Sequence, residues 1–257
     1  MIFAAEGGGG GLVFPPIDDL VVWPAAGLPL EFNKIAFINV FAVVATVLIF
    51  RLGAKKKLVP KGAQNLAEIS VDFIDKGIIQ QAIGQGGEKY LPFLTTIFFF
   101  VFFGNIFEVI PGFAMPANAR MANPAIMALT TWAMFICVGV KAQGPKYFFN
   151  AIFPPGVPKA LYLLVTPIEF ISTFIVRPFS LAVRLFANML AGHILLVTFA
   201  VLTITLAGAG VLAIISPLPF LVLVGLTGFE VMVSFLQAYV FAILAAVFIG
   251  GSLHPEH

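Results

Sequence analysis

LYLLVTPIEFISTFIVRPFSLAVRLFANMLAGHILLVTFAVLTITLAGAGVLAII, residues Leu161–Ile215, is apolar over nearly its whole length. As a helix, about 50 such residues measure roughly 75 Å, while the hydrocarbon core of a bilayer is only about 30 Å thick. A segment of that length must tilt steeply, bend or break. Pro167 and Pro178 offer places to bend it, and Gly208 with Gly210 a place to end it. The turn at Pro217 and Pro219 leads into a last apolar helix over residues 220–249. Residues 159–250 are therefore expected to form a long, tilted helical hairpin.

Composition agrees with a membrane environment. Of 257 residues, 60% are hydrophobic and 10% charged, against about 45–50% and 25% in soluble domains. So few charges cannot cover a soluble surface. The lone cysteine, Cys137, excludes an internal disulfide and a cysteine-rich metal centre. A net charge of +2 from 14 basic and 12 acidic residues is too weak and scattered for nucleic-acid binding. The start, Met1 to Glu6, lacks the basic region of a signal peptide, and Gly7–Gly11 reads as a flexible tail.

Working outward, residues 35–52 form the first expected span, after an external N-terminal segment 1–34. Arg51, Lys55, Lys56, Lys57 and Lys61 follow it and favour the cytoplasmic side. Residues 64–83 carry Glu68, Asp72, Asp75 and Lys76 at three- and four-residue spacings. Leu66, Ile69, Phe73, Ile74 and Ile78 supply an apolar face between them. That pattern predicts an amphipathic helix on the cytoplasmic surface. Residues 90–141 hold two more spans. Leu91–Ile110 carries Asn105 and Glu108 near its outer end and stops at Pro111-Gly112. The next starts at Pro124, runs to about Val140, and is closed by Lys141 and Lys146.

The chain thus forms an all-α polytopic membrane domain of five crossings plus one surface helix. Its N-terminus lies outside and its C-terminus in the cytoplasm. Ten basic residues, from Arg51 to Lys159, then fall inside and two, Lys34 and Arg120, outside. The other two, Arg177 and Arg184, lie in the long apolar segment.

Charges at membrane depth need a reason, because each costs at least about 2.5–3.5 kcal/mol unless it faces protein or water. Arg184 has Asn188 one turn away on the same face, and arginine stays protonated in any plausible setting. It suits a fixed positive charge beside a moving carboxylate better than a proton relay; a buried ion pair that locks helix packing is the alternative. Arg177, one heptad earlier, is explained as well by snorkelling or lipid contact as by function.

Glu230 and Gln237, seven residues apart, share a face of the last helix. Glu230 could exchange a proton, or be a static partner for His193. His193 follows Arg184 by nine residues, about 13.5 Å along the helix and on its opposite side. It could relay protons or simply pack. Asn105 and Glu108, with Asn118 and Asn123 in the adjoining loop, could line an aqueous entrance on the outer side. Thr166, Glu169, Ser172 and Thr173 form a second polar patch on the inner side. Two patches with an arginine between them suggest two half-channels.

No phosphate-binding loop and no Gly-x-Ser-x-Gly turn is present, so the chain has no nucleotide site or hydrolytic nucleophile of its own. His193, His254 and His257 have no metal-site spacing. No cofactor or metal is expected.

The run Arg177-Pro-Phe-Ser-Leu-Ala-Val-Arg184-Leu-Phe-Ala-Asn188-Met-Leu-Ala-Gly-His193 closely resembles the signature of the a subunit of F-type ATP synthases. Phe229-Glu230 with Leu236-Gln237-Ala-Tyr-Val-Phe241 resembles that family's last helix, and Phe103-Gly-Asn105 with Ile110-Pro-Gly112 an earlier outer helix end. Likeness extends over nearly the whole chain from Ile35. It implies a proton-conducting stator in a bacterial plasma membrane, beside a rotating c-subunit ring and b-type peripheral stalk subunits. Arg184 matches the arginine that faces each passing c-subunit carboxylate, and Gln237 the glutamine opposite it. His193 and Glu230 match a polar pair that some members carry in reverse order. Ala187 stands where glycine is frequent, a change affecting close packing more than chemistry. Within the family, a sodium-translocating version is the alternative. Outside it, an independent proton-coupled transporter would often show internal repeats, which are not seen, and a structural scaffold would have every buried charge statically paired.

Overall fold

The computed structural model describes residues 34–54, 62–110, 117–153 and 161–253. The glycine tail, Lys55–Lys57, Lys61, Pro111-Gly112, the prolines at 154–158, Lys159, His254 and His257 lie outside these residues. Regular structure among the described residues is entirely helical. In order come α1 (Lys34–Gly53), α2 (Ala63–Ile74), α3 (Leu91–Ile106), α4 (Ala122–Gln143), α5 (Lys146–Ile152), α6 (Tyr162–Ile171), α7 (Arg177–Ala207) and α8 (Pro217–Leu253). Five helical stretches are long and apolar enough to cross a membrane. The last two, Tyr162–Ala207 and Ala213–Leu253, are 46 and 41 residues long. At 1.5 Å per residue the first measures about 69 Å, more than twice the hydrocarbon thickness, as its composition demands.

That stretch stays helical because a wide turn absorbs its second proline. Between α6 and α7, Ser172–Val176 is π-helical, and the Arg177 N–H donates to the Ser172 carbonyl, five residues back. Pro178 has no N–H to give and its ring presses on the carbonyl four residues earlier. Widening the turn just upstream relieves both. The end comes where expected: Gly208 caps α7, and Gly210 takes a positive φ of 61°.

Helix α8 is the axis of the bundle and packs against α3, α4 and α7, while α1 lies outside against α2 and α3. Its C-terminal half presents Ala238, Ala242, Ala245 and Ala246, all fully buried. Small side chains let helices approach closely where lipid offers no hydrophobic drive. Gly250 is the extreme case, since a Cβ there would collide with the Ala82 carbonyl. The Arg177 guanidinium lies 5.3 Å from the centre of the Phe248 ring, a cation–π contact joining α7 to α8.

Two sequence expectations change. The third helix ends at Ile106, not Ile110, because Glu108, Val109 and Ile110 donate to the carbonyls three residues back, unwinding the chain into turns. The apolar residues of the amphipathic segment do not share one face. Ile74 and Ile78 enter the core, whereas Leu66, Ile69 and Phe73 remain exposed. On a 100° wheel the two sets point well apart, and a π turn at Asp75–Ile79 adds to the offset. The exposed side carries the Lys76–Asp72 ion pair, and the Asp72 carboxylate raises the Lys76 ammonium's pKa.

Candidate functional site

An amide ladder lies at the C-terminal end of α3. Asn118 Nδ2 donates to Asn105 Oδ1 at 2.5 Å. Asn123 Nδ2 donates both to Asn118 Oδ1, at 2.7 Å, and to Asn39 Oδ1, at 3.2 Å. Four asparagines thereby join α1, α3, the 3₁₀ turn Ala117–Ala119 and the start of α4. Asn105 and Asn118 are completely or almost completely buried, so the bonds to them satisfy groups that water cannot reach, while Asn39 and Asn123 are half-buried.

Beside the ladder the polar groups are not satisfied. Glu108 is 4% exposed, and both its carboxyl oxygens lack a hydrogen-bond partner. Glu230, also 4% exposed, leaves Oε2 unpartnered. The two carboxyls are close enough to interact electrostatically, and they repel when both are charged. Asn105 Nδ2 and Ser234 Oγ are likewise buried without partners. Glu230 lies directly on the backbone of α7: a Cβ on Gly192 would stand 2.5 Å from its Oε1 and 2.8 Å from its Oε2. Only glycine leaves room for this approach. His193, the next residue, is 8% exposed, and no hydrogen bond joins it to Glu230 among the described residues.

Arg184 is elsewhere. It points out of the bundle and has no ion-pair or hydrogen-bond partner among the described residues, so no buried ion pair locks α7 through it. The exposed stripe around it is Ser180, Arg184, Ala187 and Ala191, small on both sides of the arginine. Asn188 is half-buried one turn on, and Gln237 is buried on α8. Toward the other end of the long helix, Glu169 and Thr166 are half-buried. Thr173 is buried in the π turn, and Thr166 Oγ1 lacks a partner.

The structure thus brings Asn105, Asn118 and Asn123 together with Glu108, and sets Glu230 against Gly192 beside His193. It separates all of them from Glu169, and leaves Arg184 exposed between. By helical rise Arg184 lies about 22 Å from Glu169 and about 13.5 Å from His193. Asn39, Gly192 and Ser234 were not singled out from sequence. Asn39, an amide inside an otherwise apolar span, was the one visible signal among them.

Comparison with known proteins is consistent across the chain. The family described as ATP synthase A chain matches residues 35–250. ATP synthase subunit a of Frankia alni is 42% identical over 237 residues, covering 89% of this chain and 80% of the relative. That of Rhodococcus erythropolis is 41% identical over 251 residues, covering 94% and 90%. That of Maricaulis maris is 38% identical over 252 residues, covering 94% and 96%.

Proposed function

Because the chain belongs to the ATP synthase A chain family, we propose that it is the proton-conducting stator of an F-type ATP synthase. It forms two offset aqueous half-channels that load and unload the carboxylates of a c-subunit ring. b-type stalk subunits hold it in the complex, with its N-terminus outside and its C-terminus in the cytoplasm.

The observation that carries this reading is Arg184, a charge that faces outward, unpaired among the described residues, from a small-residue stripe between two polar regions. An unpaired arginine at membrane depth is costly unless a partner of opposite charge comes to it. Small neighbours at Ser180, Ala187 and Ala191 let a partner helix come close. A ring helix carrying a carboxylate satisfies both conditions.

A proton enters through the Asn105, Glu108, His193 and Glu230 region and neutralises a ring carboxylate, which can then turn into lipid without its full charge penalty. After rotation the carboxylate reaches the inner region at Glu169, where the proton leaves. Arg184 favours the deprotonated form and separates the two paths electrostatically. Gln237 and Asn188 orient groups near the arginine. A driving force of about 200 mV supplies roughly 4.6 kcal/mol per proton.

The test is ATP synthesis by the whole complex in vesicles, driven by an imposed pH gradient and potential, with Arg184→Ala compared against wild type at equal assembly. Synthesis should be lost. Retained synthesis would reduce Arg184 to a packing residue and remove the mechanism.

A further inference from the structure

Helical serines and threonines usually hand their hydroxyl proton to the carbonyl four residues back, and this chain does so repeatedly. Thr46, Thr131 and Ser252 donate in this way to Ala42, Met127 and Phe248. Ser234 does not. It is 0% exposed and sits one turn after Glu230, yet its Oγ meets neither the Glu230 carbonyl nor any other partner. A hydroxyl held inside a helix bundle without a hydrogen bond is unfavourable unless something polar and mobile shares its space.

Position says what that is. Glu230, Ser234 and Gln237 follow one another at four- and three-residue spacings, so they lie on one stripe of α8, and all three are buried. Beyond Gln237 the same stripe continues with Phe241 and Ala245, both buried and apolar, and the next buried polar side chain on it is Ser252, whose hydroxyl donates to the Phe248 carbonyl. The polar stretch is therefore short and bounded. Glu230 and Gln237 are about 10.5 Å apart along the axis, too far for a direct transfer. Ser234 divides that distance into steps of about 6 and 4.5 Å, each of a length that one or two waters can bridge.

We propose that the Ser234 hydroxyl is a proton-relay station between Glu230 and the Gln237 level of α8. This rests on the proton-route reading above. Oγ accepts a proton from water on the Glu230 side as the hydroxyl's own proton passes to water on the Gln237 side. Ser234 ends with one proton, as it began, and no charge stays on it. The unpartnered Oε2 of Glu230, one turn away, is the donor end of the same chain.

The experiment uses the assembled complex in vesicles and measures ATP-driven proton pumping in H₂O and D₂O for Ser234→Ala, Ser234→Thr and Glu230→Gln, each normalised to assembled complex. Ser234→Ala should lower flux about fivefold, the rate effect of losing one net hydrogen bond, and enlarge the solvent isotope effect. Ser234→Thr keeps the hydroxyl and should restore both. Wild-type flux and isotope effect in the alanine variant would overturn the relay. So would a loss that threonine fails to rescue, which would trace the defect to packing. If Glu230→Gln loses flux while Ser234→Ala does not, only the serine is excluded. If Glu230→Gln keeps full flux, the proton route itself is wrong.

Discussion

The amide ladder and the carboxyl cluster are neighbours, yet hydrogen bonds link one from Asn39 to Asn105, leaving Asn105 Nδ2 over, and the other carries no such link among the described residues. Asn39, Asn123, Asn118 and Asn105 pass hydrogen bonds along a line that crosses three helices. Glu108, Glu230 and Ser234 leave four oxygens without any partner. Buried polar groups that are fully paired rigidify the structure around them. Unpaired ones are unfavourable in a static core, and persist where a mobile guest completes them. On the function proposed above, the first acts as a lock and the second as a path, and substitutions on the two sides should therefore fail in different ways.

The largest effect is expected at the closest approach. Gly192→Val would place a branched side chain where the Glu230 carboxyl now lies, displacing it from α7. Proton flux in vesicles should fall roughly 100-fold, equivalent to about 2.7 kcal/mol on the barrier, while the complex still assembles. Flux near wild type would mean that the Glu230 position is not critical.

Glu108→Gln comes next. It keeps the shape of the side chain and removes the proton exchange. Proton pumping should drop about tenfold, with thermal stability little changed because the side chain keeps its shape and stays buried. A loss of stability without loss of flux would move Glu108 to the structural side of the comparison.

Asn123→Ala should show the opposite pattern. Its amide serves two acceptors, so the ladder breaks between α1 and α4 and Asn39 loses its donor. Thermal or denaturant unfolding of the subunit in the complex should reveal about 1–3 kcal/mol of destabilisation, and flux per assembled complex should change least of the three. If flux fell tenfold with stability intact, lock and path would be one network.

Much of the architecture was legible in one dimension. Five apolar runs, basic residues beside them and a run too long for a straight crossing led to five spans and a long hairpin. Transfer free energy is additive along a chain, so length and composition suffice for it. Arg184, His193, Glu230 and Gln237 also stood out, because a polar group inside an apolar run is visible without knowing its neighbours. The end of α3 was harder. Ile106–Ile110 continues the apolar pattern, and only the three-residue hydrogen bonds reveal that the helix has already unwound. The split of the amphipathic segment was hidden too, since it depends on which side meets α8 and on a π turn that residue type does not announce.

From sequence alone came the solvent of this protein, its number of crossings, its hairpin and the charges that must have a purpose, all of them properties of single residues summed along the chain. Tertiary structure decided which of those charges are enclosed and which wait for a partner. Glu230 lies against a glycine and Arg184 faces outward, while Asn39 completes a ladder begun 66 residues later at Asn105. Hydrogen bonds and steric exclusion are pairwise and short-ranged, so they exist only once the fold has brought distant residues together.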